Sequence, residues 1–310
     1  MKKQTGLVFC GLVLLFIWAV SSCKKTVTNN TSIESSTPLY ALIIGDTSLS
    51  IYNAAVQKAG DKPLFLNTRF ITVLIPTNTA FLAAGISKNS INAMSVAGAD
   101  SLVRYHYIDS LPPLDSAAYT GYKSLSGPTV YGMGTLDTTV SYFNGSLANR
   151  QKLAGSNAAV YELSAPLRIP AASIAQLLSA DTSLSYFAEA VKVTGINLVP
   201  ASDWNTILAP DNNAFIAAGY PTLASIDNSD INTLTDIVQY HIVPGQYFSN
   251  TFSGLITVPS QEGNSINVTF SDAIIQFTGV GNTNAASIEL SDKVAGSSVI
   301  VHKINGLLMP

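Results

Sequence analysis

Asp181-Thr182-Ser183-Leu184-Ser185 repeats, residue for residue, the stretch Asp46-Thr47-Ser48-Leu49-Ser50. An offset of 135 relates the copies, and it also carries Ala55-Val56 onto Ala190-Val191, Gly60 onto Gly195 and Tyr105-His106 onto Tyr240-His241. Between these anchors, Pro76-Thr77-Asn78-Thr79-Ala80-Phe81 matches Pro210-Asp211-Asn212-Asn213-Ala214-Phe215 at an offset of 134. Stacked repeats have periods of roughly 20–50 residues, so a period this long reports duplication of a whole domain. Two copies of one fold follow, at residues 38–170 and 173–310, joined only by Ala171-Ala172. So short a joint implies domains in contact with limited freedom.

The repeated residues explain themselves locally. Asp46 or Thr47 can cap a helix whose apolar positions Leu49, Tyr52, Val56 and Ala59 fall at helical spacing, with Gly60 ending it. Thr72-Val73-Leu74-Ile75 and Asn205-Thr206-Ile207-Leu208-Ala209 are β-branched, apolar runs suited to buried strands. Each runs into a proline, which offers no N–H for strand pairing, and then into a capping residue, Thr77 or Asp211, before a helix. Helices ending at Tyr105-His106 and Tyr240-His241 follow. The remainder of each copy alternates in the manner of strands: 129–131, 139–143 and 159–163 in the first, and 266–270, 274–277, 288–290 and 298–304 in the second. Turns are expected at Gly132, Gly134 and Asn144-Gly145.

Met1-Lys2-Lys3, an apolar stretch from Leu7 to Val20, and Val20-Ser21-Ser22-Cys23 have the order of a secretory signal. Gly6 to Val20 is too short for a membrane span, which needs about 20 residues. Val-Ser-Ser-Cys resembles the lipobox of bacterial lipoproteins, which implies a signal peptide over 1–22 and lipidation of Cys23. Residues 23–37 are polar and small, and read as a flexible tether reaching at most about 45 Å at roughly 3.3 Å per residue. Cys10 leaves with the signal, so the folded part has no thiol for a disulfide, nucleophile or metal site. Without Lys2 and Lys3 the basic count falls from 16 to 14 against 19 acidic residues, a net charge of −5. A weakly acidic chain without basic clusters has no electrostatic footprint for nucleic acid.

Thr-x-Leu-x-Pro-x-Asn-x-Ala-Phe, a Tyr-His some 29 residues later, and the terminal Val301-His302-Lys303-Ile304-Asn305-Gly306-Leu307-Leu308-Met309-Pro310 resemble the fasciclin-like domain. The resemblance covers both copies, nearly all of the chain beyond the tether. It implies an α+β fold of two tandem domains, each a wedge-shaped β-sandwich with helices packed on one side. The first copy ends Val160-Tyr161-Glu162-Leu163-Ser164-Ala165-Pro166-Leu167 without the His or the Asn-Gly, so a remodelled final strand and turn are expected there. The family is mostly secreted or membrane-anchored and associated with adhesion, and catalysis is not its usual role.

By that resemblance the candidate ligand-binding residues are Tyr105, His106, Tyr240 and His241. Their physical setting points elsewhere: Tyr240 shares a helical face with Ile237, and His241 precedes an apolar strand, as core residues do. His302 lies on the same strand face as Ile300 and Ile304. The three histidines form no close-spaced pair, so no metal site is expected. Asp211-Asn212-Asn213 lacks the glycine and glutamate of a calcium loop. No Gly-x-Ser-x-Gly is present, and Gly132-Met133-Gly134 lacks a third glycine; no catalytic residue and no cofactor is expected.

Tyr107, Tyr119, Tyr122, Tyr131 and Tyr142 crowd one region of the first copy, where exposed rings could stack on sugars. Two functional expectations result. The first is a lipid-anchored adhesion or interaction protein of the envelope of a diderm bacterium, in the outer membrane, meeting an extracellular protein or glycan. The alternative is an accessory glycan- or nutrient-binding lipoprotein of an outer-membrane uptake system.

Overall fold

The computed structural model describes residues 39–66, 70–135, 140–151, 158–200 and 203–310. The signal peptide, Cys23 and tether expected at 1–37 lie outside them. Among the described residues no single helix is long and apolar enough to cross a membrane.

Among the described residues of the first domain five helices, α1 (Leu39–Gly45), α2 (Ser50–Ala59), α3 (Asn78–Ala83), α4 (Lys88–Ala93) and α5 (Val96–Tyr105), accompany seven strands. These are β1 (Ile71–Pro76), β2 (Tyr107–Ile108), β3 (Thr120–Lys123), β4 (Thr129–Gly134), β5 (Val140–Phe143), β6 (Ser146–Gln151) and β7 (Ala158–Leu163). The second domain has α6 (Ile174–Ala180), α7 (Ser185–Thr194), α8 (Asn212–Ala217), α9 (Leu223–Asp227), α10 (Ile231–Tyr240) and the short α11 (Ser249–Phe252). Its strands are β8 (Asn205–Pro210), β9 (Ile242–Pro244), β10 (Thr257–Pro259), β11 (Ser265–Ser271), β12 (Ile274–Thr278), β13 (Ala286–Ala295) and β14 (Val299–Ile304).

Each domain has one seven-stranded sheet, ordered β2-β1-β7-β6-β5-β4-β3 and β10-β11-β12-β13-β14-β8-β9. Both are antiparallel except for one central pair, β1 with β7 and β8 with β14. Each sheet curls until its ends nearly meet: Ser124 bridges Ile108 in the first, and the Gln261 N–H reaches the Ile242 carbonyl in the second. Each domain is thus α+β as expected, with its sheet curled around an inner core and the helices outside it. In β1, Ile71, Val73 and Ile75 pack beneath the helices, while Leu74 points into the curl with Phe143, Tyr161 and Leu163. In β8, Ile207 and Ala209 face the helices and Leu208 faces inward. Both faces are covered, which is why these strands read as continuous apolar runs.

The two recurring motifs recur together because they hold each other. The Asp46 carboxylate accepts from the Ser48 N–H at 2.7 Å, opening a 3-10 turn that feeds α2, and Gly60 at φ +77° ends that helix. Thr77 caps α3 through the Ala80 N–H, and Asp211 caps α8 through the Ala214 N–H. The Asn78 amide then reaches back, donating to the Thr47 carbonyl at 2.8 Å and accepting from the Ile51 N–H at 2.9 Å. Asn212 makes the same clamp on Thr182 and Tyr186 at 3.0 Å each.

Three expectations change. Gly132 and Gly134 are not turns but lie inside β4. Only Asn144-Gly145 forms the expected tight turn, both residues at positive φ. The end of the first domain is not remodelled. Pro76 pairs with Leu163 as Pro210 pairs with Ile304, so β7 keeps the register of β14.

One core position separates the copies usefully. Tyr52 is fully buried and its hydroxyl has no partner among the described residues, whereas the residue 135 positions later is Phe187. An unsatisfied buried hydroxyl costs about 1–3 kcal/mol. Tyr52→Phe is therefore expected to raise the stability of the first domain by about 1 kcal/mol in urea denaturation. Tyr105→Phe, which removes a hydroxyl with two partners, should lower it. Equal effects of the two substitutions would refute this account.

Candidate functional site

The Tyr-His pairs end α5 and α10, and none of the four side chains has exposed surface. The Tyr105 hydroxyl donates to the Thr129 carbonyl at 3.1 Å and accepts from the Asn144 amide at 2.8 Å. The Tyr240 hydroxyl donates to the Ser265 carbonyl at 2.9 Å and accepts from the Val280 N–H at 3.1 Å. His106 donates from Nδ1 to the Leu102 carbonyl at 2.8 Å and accepts at Nε2 from the Leu167 N–H at 2.9 Å. His241 repeats this on the Ile237 carbonyl and the Leu308 N–H, at 2.8 and 3.0 Å. Each neutral imidazole ties a helix end to the chain just past the last strand. Burial holds both imidazoles down to about pKa 4, against the pull of the helix carbonyl. As docking residues the pairs offer a partner nothing to touch.

His302 is equally enclosed, with Nε2 donating to the Tyr247 carbonyl at 2.8 Å. Burial lowers its pKa against the opposing field of Asp292.

Two residues of the tyrosine-rich segment, Tyr119 and Tyr131, lie at the domain junction. Tyr119 packs on Phe248 with ring centroids 4.6 Å apart, and Tyr131 meets Trp204 edge-on at 4.8 Å. Val294 and Ile300 complete this cluster. The Tyr119 hydroxyl donates to the Asn250 side chain, and that of Tyr131 to the Ser297 carbonyl at 3.2 Å. Tyr107 is core, and Tyr122 is half-buried against the Pro113 carbonyl.

A register shift in β13 between Leu290 and Lys293 places Asp292 in the left-handed region at φ +63°. Its carboxylate there accepts from the Ser249 N–H at 2.7 Å and the Ser249 hydroxyl at 2.6 Å. Gly145 lies against the same carboxylate, where a Cβ would come within 2.7 Å of it. Bulges commonly re-aim a side chain in this way. Gly145, at φ +80°, would also be strained by any side chain. Gly145→Ala should therefore part the domains locally and speed proteolysis at 168–172, while Gly254→Ala, in open space, leaves the cleavage rate unchanged. Equal cleavage of the two variants would show that the junction does not depend on this contact.

Residues 182–310 match the family model of the Fasciclin domain. That stretch of the chain is similar to the fasciclin domain. The first half of the chain repeats the second half strand for strand around the same parallel pair. No curated protein matches the chain. Among solved structures it is similar to the FAS1 domain pair of the insect cell adhesion molecule fasciclin I, at 16% identity and a TM-score of 0.41, over 85% of this chain and 97% of that one.

In the two domains, the described residues contain no group of three or more His, Cys, Asp or Glu placed to hold a metal. Two cavities open at the junction. The larger, about 590 Å³, is lined by Arg168, Pro170, Ala172, Gln176 and Lys293; the smaller, about 240 Å³, by Gly145, Ser249 and Asp292. Sequence reasoning missed Asn250, Trp204, Phe248 and Asp292 as junction residues. Only Phe248 and Trp204 carried a signal, as large aromatics outside the periodic runs. Nothing in the sequence marks a bulge at Asp292.

Proposed function

We propose that this chain is a non-catalytic adhesion or interaction protein of the cell envelope, held at the outer membrane of a diderm bacterium by lipid on Cys23. The reading is carried by the fasciclin domain at 182–310 together with the signal and lipobox-like residues that precede the tether. The buried histidines and tyrosines support it, since each is engaged in holding the fold. The packed junction presents both domains as one surface, which suits multipoint contact with a partner. The uptake-accessory reading drew on the tyrosine-rich segment, and Tyr119 and Tyr131 now lie between the domains.

Mass spectrometry of the mature protein tests the anchor: an acylated Cys23 at the N-terminus is expected, and any other N-terminus removes the anchor from the proposal. Binding of the purified protein to matrix proteins, cells and glycan arrays tests adhesion. No binding at micromolar concentration would overturn that part.

A further inference from the structure

The repeat supplies its own comparison at the turn that opens each domain. In the second domain Asp181 sits in a small ionic cluster: Lys293 Nζ lies 3.2 Å and Lys303 Nζ 3.8 Å from its carboxylate. Lys303 also donates to the Ser183 hydroxyl at 3.2 Å. Burial opposes charge on Asp181, but the Ser183 hydroxyl and the two ammonium groups outweigh it and hold the carboxyl below its ordinary range.

In the first domain Asp46 stands where Asp181 stands, and its surroundings differ. Ile75 pairs with Glu162 as Ala209 pairs with Lys303, so Glu162 occupies the lysine's position with the opposite charge. At the level of Lys293 the matching strand position is that of Gln151. Asp46 and Glu162 are both half-buried and line one groove of about 470 Å³. Its other walls are the apolar side chains of Leu42, Ile43, Leu49 and Val160. Among the described residues neither carboxylate has an ion-pair partner, although the same site in the second domain holds two.

An apolar cleft of roughly 300–1,000 Å³ with a few convergent polar groups is the usual form of a ligand site. Here the polar groups are two carboxylates over an apolar floor, which fits a cation on an aliphatic stem. The geometry points to a lysine or arginine side chain of a basic partner protein, seated in the first domain's groove where the second domain seats its own Lys303. An alkylammonium buries its methylenes against Leu42 and Val160 and presents its charge to both carboxylates. This goes beyond the adhesion reading and does not depend on the anchor or on any particular cell-surface partner.

The test uses the full chain and a fluorescein-labelled hexapeptide carrying two lysines, beside a counterpart with norleucine in their place, read by fluorescence anisotropy. The lysine peptide should bind and the norleucine peptide should not. Asp46→Asn and Glu162→Gln should each weaken binding by about tenfold, the scale of losing one charge-assisted contact. Glu162→Lys recreates the second domain's internal cluster and should abolish binding, with the circular dichroism melt showing that the variant is folded. Equal binding by folded Glu162→Lys, or no binding of the lysine peptide at millimolar concentration, overturns the proposal. If binding appears only after Lys24→Gln and Lys25→Gln, the chain's own N-terminal segment is the occupant, which also overturns it.

Discussion

Between pH 7 and pH 4 each domain should lose on the order of 3 kcal/mol of stability through its buried histidine alone. An unfolded imidazole takes its proton near pH 6.5, whereas His106 and His241 in the fold do so only at about 4. Between these values the unfolded chain binds more protons than the folded one, so acid favours unfolding. Below about pH 4 both states are protonated and the loss levels off. The physical reason is specific. In each site the Nδ1–H is committed to a helix carbonyl and Nε2 accepts a backbone N–H, so a second ring proton would face a donor. Among the described residues the ring neighbours of His106 are Tyr52 and Tyr105, and that of His241 is Phe187, so aromatic rings and not carboxylates adjoin each imidazole. Urea midpoints followed by circular dichroism from pH 7.5 to 3.5 give the measurement. The His241→Gln variant should start lower and show a shallower slope for the second domain. A stability that is flat across this range would refute the assignment of the histidines as neutral fasteners.

Gly134→Ala is expected to cost about 3 kcal/mol or more, near the upper end of what a single added methyl does. A Cβ on Gly134 would stand 2.0 Å from the Leu114 carbonyl oxygen, a backbone atom held in place by Pro112 and Pro113 just before it. The Gly134 N–H also bonds the Ser116 carbonyl at 3.0 Å, so the strand and the crossing segment are tied at the point of contact. Neither can withdraw without losing that bond. Gly132 is tight in a different way: its Cβ would meet the Phe143 ring at 2.8 Å, and a ring can tilt. Gly132→Ala should therefore be the milder of the two. Thermal melts of both variants decide this, and a Gly134→Ala protein as stable as the parent would mean that the 111–116 segment does not press on β4 in solution.

These glycines mark where reading the chain stops. Two glycines among alternating residues have the composition of a turn, and composition cannot report that another segment crosses over the strand. The same limit applies to Tyr119 and Tyr131. Their chemistry fits a stacking platform, a core or an interface equally, and the choice depended on where Phe248, Trp204 and Asn250, more than 70 residues away, came to rest.

What the chain determined alone was everything set by neighbours or by duplication. Caps at Asp46, Thr77, Asp181 and Asp211, helix ends at Gly60 and Gly195, buried strands running into Pro76 and Pro210, and the doubling of the fold all follow from residues within one or two helical turns, or from comparing one half with the other. Tertiary structure decided the rest. It kept the first domain's last strand in register without its Asn-Gly, because a backbone N–H from Leu167 serves His106 as well as that from Leu308 serves His241. It also left Asp46 and Glu162 facing an open groove where the second domain closes its own with lysine. Burial, charge pairing and clash are properties of surfaces brought together by the fold, and no local stretch of sequence contains both surfaces.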